Sequence, residues 1–183
     1  MAKLAVVIGG ASCVWDDLRE LRELREPDFV VAINDVGTVY PHSLDHWVSY
    51  HSSYFGRWLD QRRKNGLPGN PTLWTGKRRP RDVPTNIKTY DLFGGSSGLL
   101  GAHVAMQFAD KVVLAGVPMD PAMTHYHTRD RGNPWKDAKN YHRHWQKIAP
   151  KLCNVRSMSG WTQNLLGAPT TAWLMEDQGD VVL

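Results

Sequence analysis

The sequence predicts an α/β fold of three layers with a mostly parallel sheet, and three observations carry that expectation. Leu4-Ala5-Val6-Val7-Ile8, Phe29-Val30-Val31-Ala32-Ile33 and Lys111-Val112-Val113-Leu114-Ala115 are short runs in which nearly every residue is apolar. Continuous runs of this length, without polar alternation, suit strands covered on both faces. Segments of helical periodicity alternate with the strands, the order of a βαβ arrangement. The 183 residues fit a single domain.

The first run ends at Gly9-Gly10-Ala11-Ser12, and a helix follows over about 14–25. There Trp15, Leu18, Leu21 and Leu24 share one face, and Asp16 and Asp17 suit the positive end of the helix dipole. Pro27 stops this helix, and the second run closes at Asn34-Asp35. A third strand is expected at His46-Trp47-Val48-Ser49-Tyr50, then a helix over about 54–64. Residues 65–86 mix Pro68, Pro71, Pro80 and Pro84 with Gly66, Gly69, Gly76 and the basic Lys77-Arg78-Arg79-Arg81. They read as a mobile loop with a short strand at Leu73-Trp74-Thr75. An extended segment at 87–90 precedes Gly94-Gly95-Ser96-Ser97-Gly98, which opens an apolar helix over 99–109. The third apolar run ends at Gly116-Val117-Pro118-Met119-Asp120. A polar loop with His125, Tyr126 and His127 follows, then a helix over about 134–149, a strand near 154–158, a short helix from about Thr162, and a loose tail at 174–183.

Composition narrows the function classes. Hydrophobic residues make up 42% and charged residues 22%, which excludes a disordered chain. Two cysteines exclude a disulfide-stapled scaffold. No stretch reaches the length of a membrane-spanning helix, and the apolar run at 4–8 is too short for a signal peptide, so a cytoplasmic location is expected. The net charge of +4 favours an anionic ligand such as a nucleotide over nucleic acid, which remains a weaker expectation.

Ligands of open α/β sheets bind beyond the carboxyl ends of the strands. The expected nucleotide-binding residues are therefore Gly9, Gly10 and Ser12 after the first strand, Asn34 and Asp35 after the second, and Gly95, Ser96, Ser97 and Gly98 at the helix start. Small residues let backbone amides approach an anion, and a helix N-terminus adds partial positive charge. The first turn is neither the three-glycine dinucleotide fingerprint nor a Walker loop. Each turn could equally serve helix capping alone. His51 and His127 sit at the ligand-facing edge as candidate acids or bases. Asp120 is a third catalytic candidate, as a base or as a carboxylate for Mg²⁺. The histidine pairs 42/46, 125/127 and 142/144 lack a Cys or carboxylate partner at zinc spacing, so no zinc is expected. A tryptophan at Ser97 is expected to block binding and spare the fold.

With these residues in view, the chain resembles a Rossmann-like group of transferases, the bacterial sialyltransferase-like glycosyltransferases and the 6-hydroxymethylpterin pyrophosphokinase-like domains. The resemblance spans roughly residues 4–120. It rests on the Gly9-Gly10-Ala11-Ser12 turn, on Asn34, on Gly95-Ser96-Ser97-Gly98 with Ala102 and Ala105 behind it, and on the strand end from Val112 to Asp120. Gly-Ala-Ser stands where that group has Gly-Pro-Ser, and Pro118-Met119 displaces the aspartate. The compact size also resembles short bacteriophage proteins. The resemblance implies a single Rossmann-like domain over 1–183 and a nucleotide- or nucleotide-sugar-dependent transferase. Such an enzyme passes a glycosyl or diphosphate group to a hydroxyl, with Mg²⁺ accompanying the donor and a histidine after the last of these strands (His127 by position) as base. The competing expectation is a protein that binds or sequesters a nucleotide without catalysis. Donor, acceptor and oligomeric state are not readable from the sequence.

Overall fold

The computed structural model describes residues 1–76, 86–91, 95–127 and 138–176. Seven strands form one sheet, β1 (Leu4–Ile8), β2 (Phe29–Ile33), β3 (His46–Val48), β4 (Thr72–Gly76), β5 (Lys88–Tyr90), β6 (Lys111–Ala115) and β7 (Val155–Ser157). Their order is β5-β4-β3-β2-β1-β6-β7, and every pairing is parallel, so the expected mostly parallel sheet is parallel throughout. The strand order reverses at β1, whose neighbours β2 and β6 come from the two halves of the chain. All five residues of β1 and all five of β6 are buried, as the continuous apolar runs require.

The main helices are α1 (Val14–Leu24), α2 (Phe55–Lys64), α3 (Ser97–Ala105) and α4 (Ala138–Ile148), followed by the short α5 (Gly160–Leu166) and α6 (Thr171–Met175). One core layer packs Val7, Val31, Val112 and Leu114 against α3 and Trp145 of α4. The other packs Val6, Ile8, Ala32 and Val113 against α1 and the Trp47–Phe55–Trp58 aromatic group. Alternate side chains of each strand thus feed opposite layers. Among the described residues no helix is long and apolar enough to cross a membrane.

Within the loop read over 65–86, the short strand expected at Leu73-Trp74-Thr75 is β4, one residue longer at each end and hydrogen-bonded to β3 on one side and β5 on the other. Its Leu73 and Trp74 are buried. The tail read from residue 174 begins inside α6, where Leu174 is 1% exposed. The buried Lys111 side chain donates to the carbonyls of Trp173 and Glu176, which ties that segment to β6. Residues 177–183 and the basic 77–81 lie outside the described residues.

Candidate functional site

A cavity of about 400 Å³ opens beyond the carboxyl ends of β1, β2, β3 and β6, at the reversal of strand order. Both glycine-serine turns line it, Gly9 and Gly10 from one side and Gly95, Ser96, Ser97 and Gly98 from the other. Asn34, Asp35, Tyr50, His51, His125 and Tyr141 complete its polar wall.

The first turn needs glycine because other backbone and ring atoms come too close for a side chain. A Cβ on Gly9 would sit 2.3 Å from the Gly116 carbonyl oxygen, and one on Gly10 would meet His125 Nε2 at 2.8 Å. Residues 124–126 run antiparallel across the turn: Ser12 N donates to the Thr124 carbonyl and Tyr126 N to that of Gly10, with Ala11 and His125 bridged between them. That crossing lays the His125 ring over Gly10.

At the second turn Ser96 caps α3. Its Oγ accepts from Leu99 N (3.3 Å) and from Trp145 Nε1 (3.2 Å), while Ser97 Oγ accepts from Tyr50 N (3.2 Å). The capping expected as the simpler explanation of this turn is therefore present at Ser96. It does not exhaust the turn, because each hydroxyl that only accepts still has its own hydrogen to donate. The first-turn amides of Ser97 and Gly98 have no helical acceptor either. The turn thus presents hydrogen-bond donors to an oxygen-bearing ligand.

Asn34 holds the left-handed conformation, with φ +53°. Its carbonyl accepts from Trp47 Nε1, and its Oδ1 accepts from Ser49 Oγ at 2.7 Å, which in turn accepts from His51 N at 2.8 Å. The chain from β2 to β3 is thereby locked, and asparagine is one of the few side chains that tolerates this backbone. Beside it Asp35 Oδ1 lies 3.4 Å from His125 Nε2. His125 Nδ1 accepts from His127 N at 3.2 Å, which places the ring hydrogen on Nε2, facing the Asp35 carboxylate. Burial pushes the Tyr50 phenol up to about 12, so it stays protonated near the cavity at neutral pH.

Three sequence candidates stand elsewhere. Ser12 is exposed, with its hydroxyl 4.0 Å from Met123 Sδ. His127 does not line the cavity; its ring stacks 5.5 Å from that of His125, which takes the inward position. Asp120 follows Met119, whose φ of +48° turns the chain, so its carboxylate accepts from Ala122 N and lines a neighbouring cleft with Lys139 and His142. The substitution Ser97→Trp cannot spare the fold, because Ser97 is 8% exposed and bonded to β3's outgoing chain.

Behind the first turn lies a group the sequence did not signal. Asp17 is buried in α1, and its Oδ2 accepts from Gly116 N at 2.7 Å and from Ser159 Oγ at 2.8 Å. Cys13 Sγ is 3.3 Å from the same Ser159 hydroxyl. Burial raises Asp17 above the usual carboxylate range against the pull of these donors, and pushes the Cys13 thiol up to about 11. A thiol so held is protonated at neutral pH and is no nucleophile. Among the described residues no three His, Cys, Asp or Glu side chains are grouped to hold a metal.

Neither a family model, nor a curated protein, nor a solved structure matches this chain.

Proposed function

We propose that this cavity binds a nucleotide or nucleotide sugar and that the protein transfers a glycosyl or diphosphate group from it to an acceptor hydroxyl. The observation that supports this reading is the meeting of two donor-rich turns on one cavity at the sheet's switch point, although some 85 residues separate them in sequence. Amides of Gly10, Ser97 and Gly98 and the hydroxyls of Ser96 and Ser97 hold the donor's phosphate oxygens. These donors are fixed by β1 and α3, so they need no reorganisation as charge develops on the leaving phosphate.

His51 serves as the base. It lines the cavity, whereas His125 accepts from His127 N at Nδ1 and turns Nε2 toward the Asp35 carboxylate at 3.4 Å. The acceptor oxygen attacks the electrophilic carbon or phosphorus, the bond to the nucleotide's bridging oxygen breaks, and the acceptor proton passes to His51. Asp35 is the carboxylate that would hold Mg²⁺ accompanying a diphosphate, and His125 fixes its position.

The test is thermal shift with CMP, UDP, ADP, ATP and their sugar conjugates, with and without Mg²⁺, followed by product analysis on any stabilising ligand. Stabilisation by a sugar conjugate beyond its free nucleotide supports glycosyl transfer, and Mg²⁺-dependent stabilisation by ATP supports diphosphate transfer. His51→Ala should keep the shift and lose turnover by at least about 100-fold. Absence of any shift would refute the reading, and a shift without turnover by the unmodified protein would establish the sequestering alternative instead.

A further inference from the structure

Val117 lines the cavity between its two glycine-serine turns and is 2% exposed. A Cβ built on Gly9 would meet Val117 Cγ2 at 2.7 Å, and one built on Gly98 would meet Val117 Cγ1 at 2.7 Å. One methyl therefore rests on the turn after β1 and the other on the start of α3. Both contacts are close packing against bare glycine backbone. Neither turn can move toward the other without displacing the valine.

Val117 cannot itself retreat, because three consecutive carbonyls of its segment are held by donors from α4 and α5. Thr162 Oγ1 donates to the Val117 carbonyl at 2.6 Å, and Thr162 N donates to that of Pro118 at 3.2 Å. His142 Nε2 lies 2.7 Å from the Met119 carbonyl, and a carbonyl only accepts, so this nitrogen is the donor. The imidazole is stacked in turn on the Trp161 ring, 3.7 Å away and parallel to it within 1°. The valine is thus a fixed spacer, in place before any ligand enters.

We infer that Val117 determines the specificity of this cavity: it spaces the two turns to grip one phosphoryl group between them. The inference rests on the nucleotide reading of the same cavity and narrows it. A phosphorus atom, like the Cβ of valine, is a tetrahedral centre with short arms, and over Val117 it meets a gap of matching width. One oxygen then faces the amide of Gly10 and another those of Ser97 and Gly98. Gly9 N takes no part, since it donates to the Ala115 carbonyl at 2.8 Å. A second phosphate would lie beyond the reach of both turns. Charge points the same way. Among the described residues no lysine or arginine lines the cavity, and Asp35 borders it, so a second phosphate meets no cation there.

The experiment is calorimetry without Mg²⁺, with AMP against ADP, CMP against CDP, and phosphate against pyrophosphate. Within each pair the second phosphate should change affinity by less than about threefold. Val117→Ala removes both methyls and should weaken the monophosphates about tenfold while moving the diphosphates less than about threefold. Val117→Thr keeps the branched shape and buries a hydroxyl. It should lower the urea midpoint yet keep monophosphate affinity within about threefold. A diphosphate that binds the unmodified protein more than about threefold tighter than its monophosphate would overturn the inference, whether or not the variants fold. So would equal effects of the two substitutions on monophosphate affinity. Phosphate binding that Val117→Ala weakens, with no nucleotide bound, would refute the nucleotide reading and uphold the spacing. No binding of any of these probes would overturn both.

Discussion

Asp17 and Asp35 both lie near the end of β1 and show what separates a carboxylate held in the framework from one that borders a cavity. Asp17, 5% exposed, spends one oxygen on two donors, the Gly116 amide and the Ser159 hydroxyl, and so ties α1 to the end of β6 and to the approach to α5. Asp35 meets its imidazole at 3.4 Å, beyond normal hydrogen-bond length, and keeps an edge on the cavity. Both groups lie near the sheet's switch point, but Asp17 is buried within the framework, whereas Asp35 is half-buried and borders the cavity.

The comparison breaks if the two respond alike to substitution. Asp17→Ala leaves the Gly116 amide and Ser159 without their acceptor and should cost about 3 kcal/mol in urea unfolding. Asp17→Asn keeps an acceptor oxygen and should cost about 1 kcal/mol or less. It also carries a pH signature. Because burial raises the folded-state pKa of Asp17 above 3.8, the folded chain holds its proton more tightly than the unfolded chain does. This group's contribution is therefore greatest below 3.8 and is lost as pH rises through the folded value, a trend absent from Asp17→Asn. Asp35→Asn and His125→Gln should instead stay within about 1 kcal/mol of wild-type stability while weakening nucleotide binding about 10-fold by calorimetry. Gly10→Ala is the gentlest probe. Its methyl would press on the His125 ring at 2.8 Å, which must shift off the Asp35 carboxylate to make room, so a few-fold loss of affinity with little change in melting temperature is expected. Equal stability losses at Asp17 and Asp35 would erase the distinction.

The same contrast explains what could be read in advance. The strands β1, β2 and β6 were legible because burial on both faces writes itself as uninterrupted apolar runs. β4 and β5 were legible as a short strand at 73–75 and an extended segment at 87–90, but neighbouring prolines and polar residues such as Lys88 and Thr89, tolerable where β5 borders the sheet, obscured their pairing. Both turns were legible as clusters of small residues, one after a strand and one at a helix start, and they do face one cavity. Asp35 was legible as a residue at the end of β2, whereas His125, which lines the cavity beside it, was not separable from its neighbours locally. His125 and His127 differ by two positions, and the pairing of Ala11 with His125, 114 residues away, decides which ring lies on Gly10. Asp17 sits where a helix-dipole residue belongs, and its true partner, Gly116, is 99 residues distant. Asp120 was misplaced by the left-handed turn at Met119, which no residue preference announces.

Histidines sharpen the contrast with a smaller effect. His46 and His103 lie away from the cavity, His46 stacked 4.3 Å from Phe108 with Nδ1 accepting from Trp74 Nε1, and His103 with a buried Nε2 that has no hydrogen-bond partner among the described residues. Burial holds both below the usual 6.5, and the Lys151 ammonium adds to the effect at His103. The unfolded chain therefore takes up these protons first. Their contribution to stability is complete above 6.5 and is lost as pH falls from there through the folded-state values, at no more than about 1.4 kcal/mol per pH unit for each ring. His46→Asn retains an acceptor for Trp74 and removes the titration, so its unfolding free energy should fall less steeply between about pH 6.5 and 5. Lys151→Gln should soften the same limb slightly by relieving His103. If His51→Ala flattened it and His46→Asn did not, the acid-sensitive groups would lie in the cavity, and the division between framework and site drawn from the two aspartates would fail for the histidines.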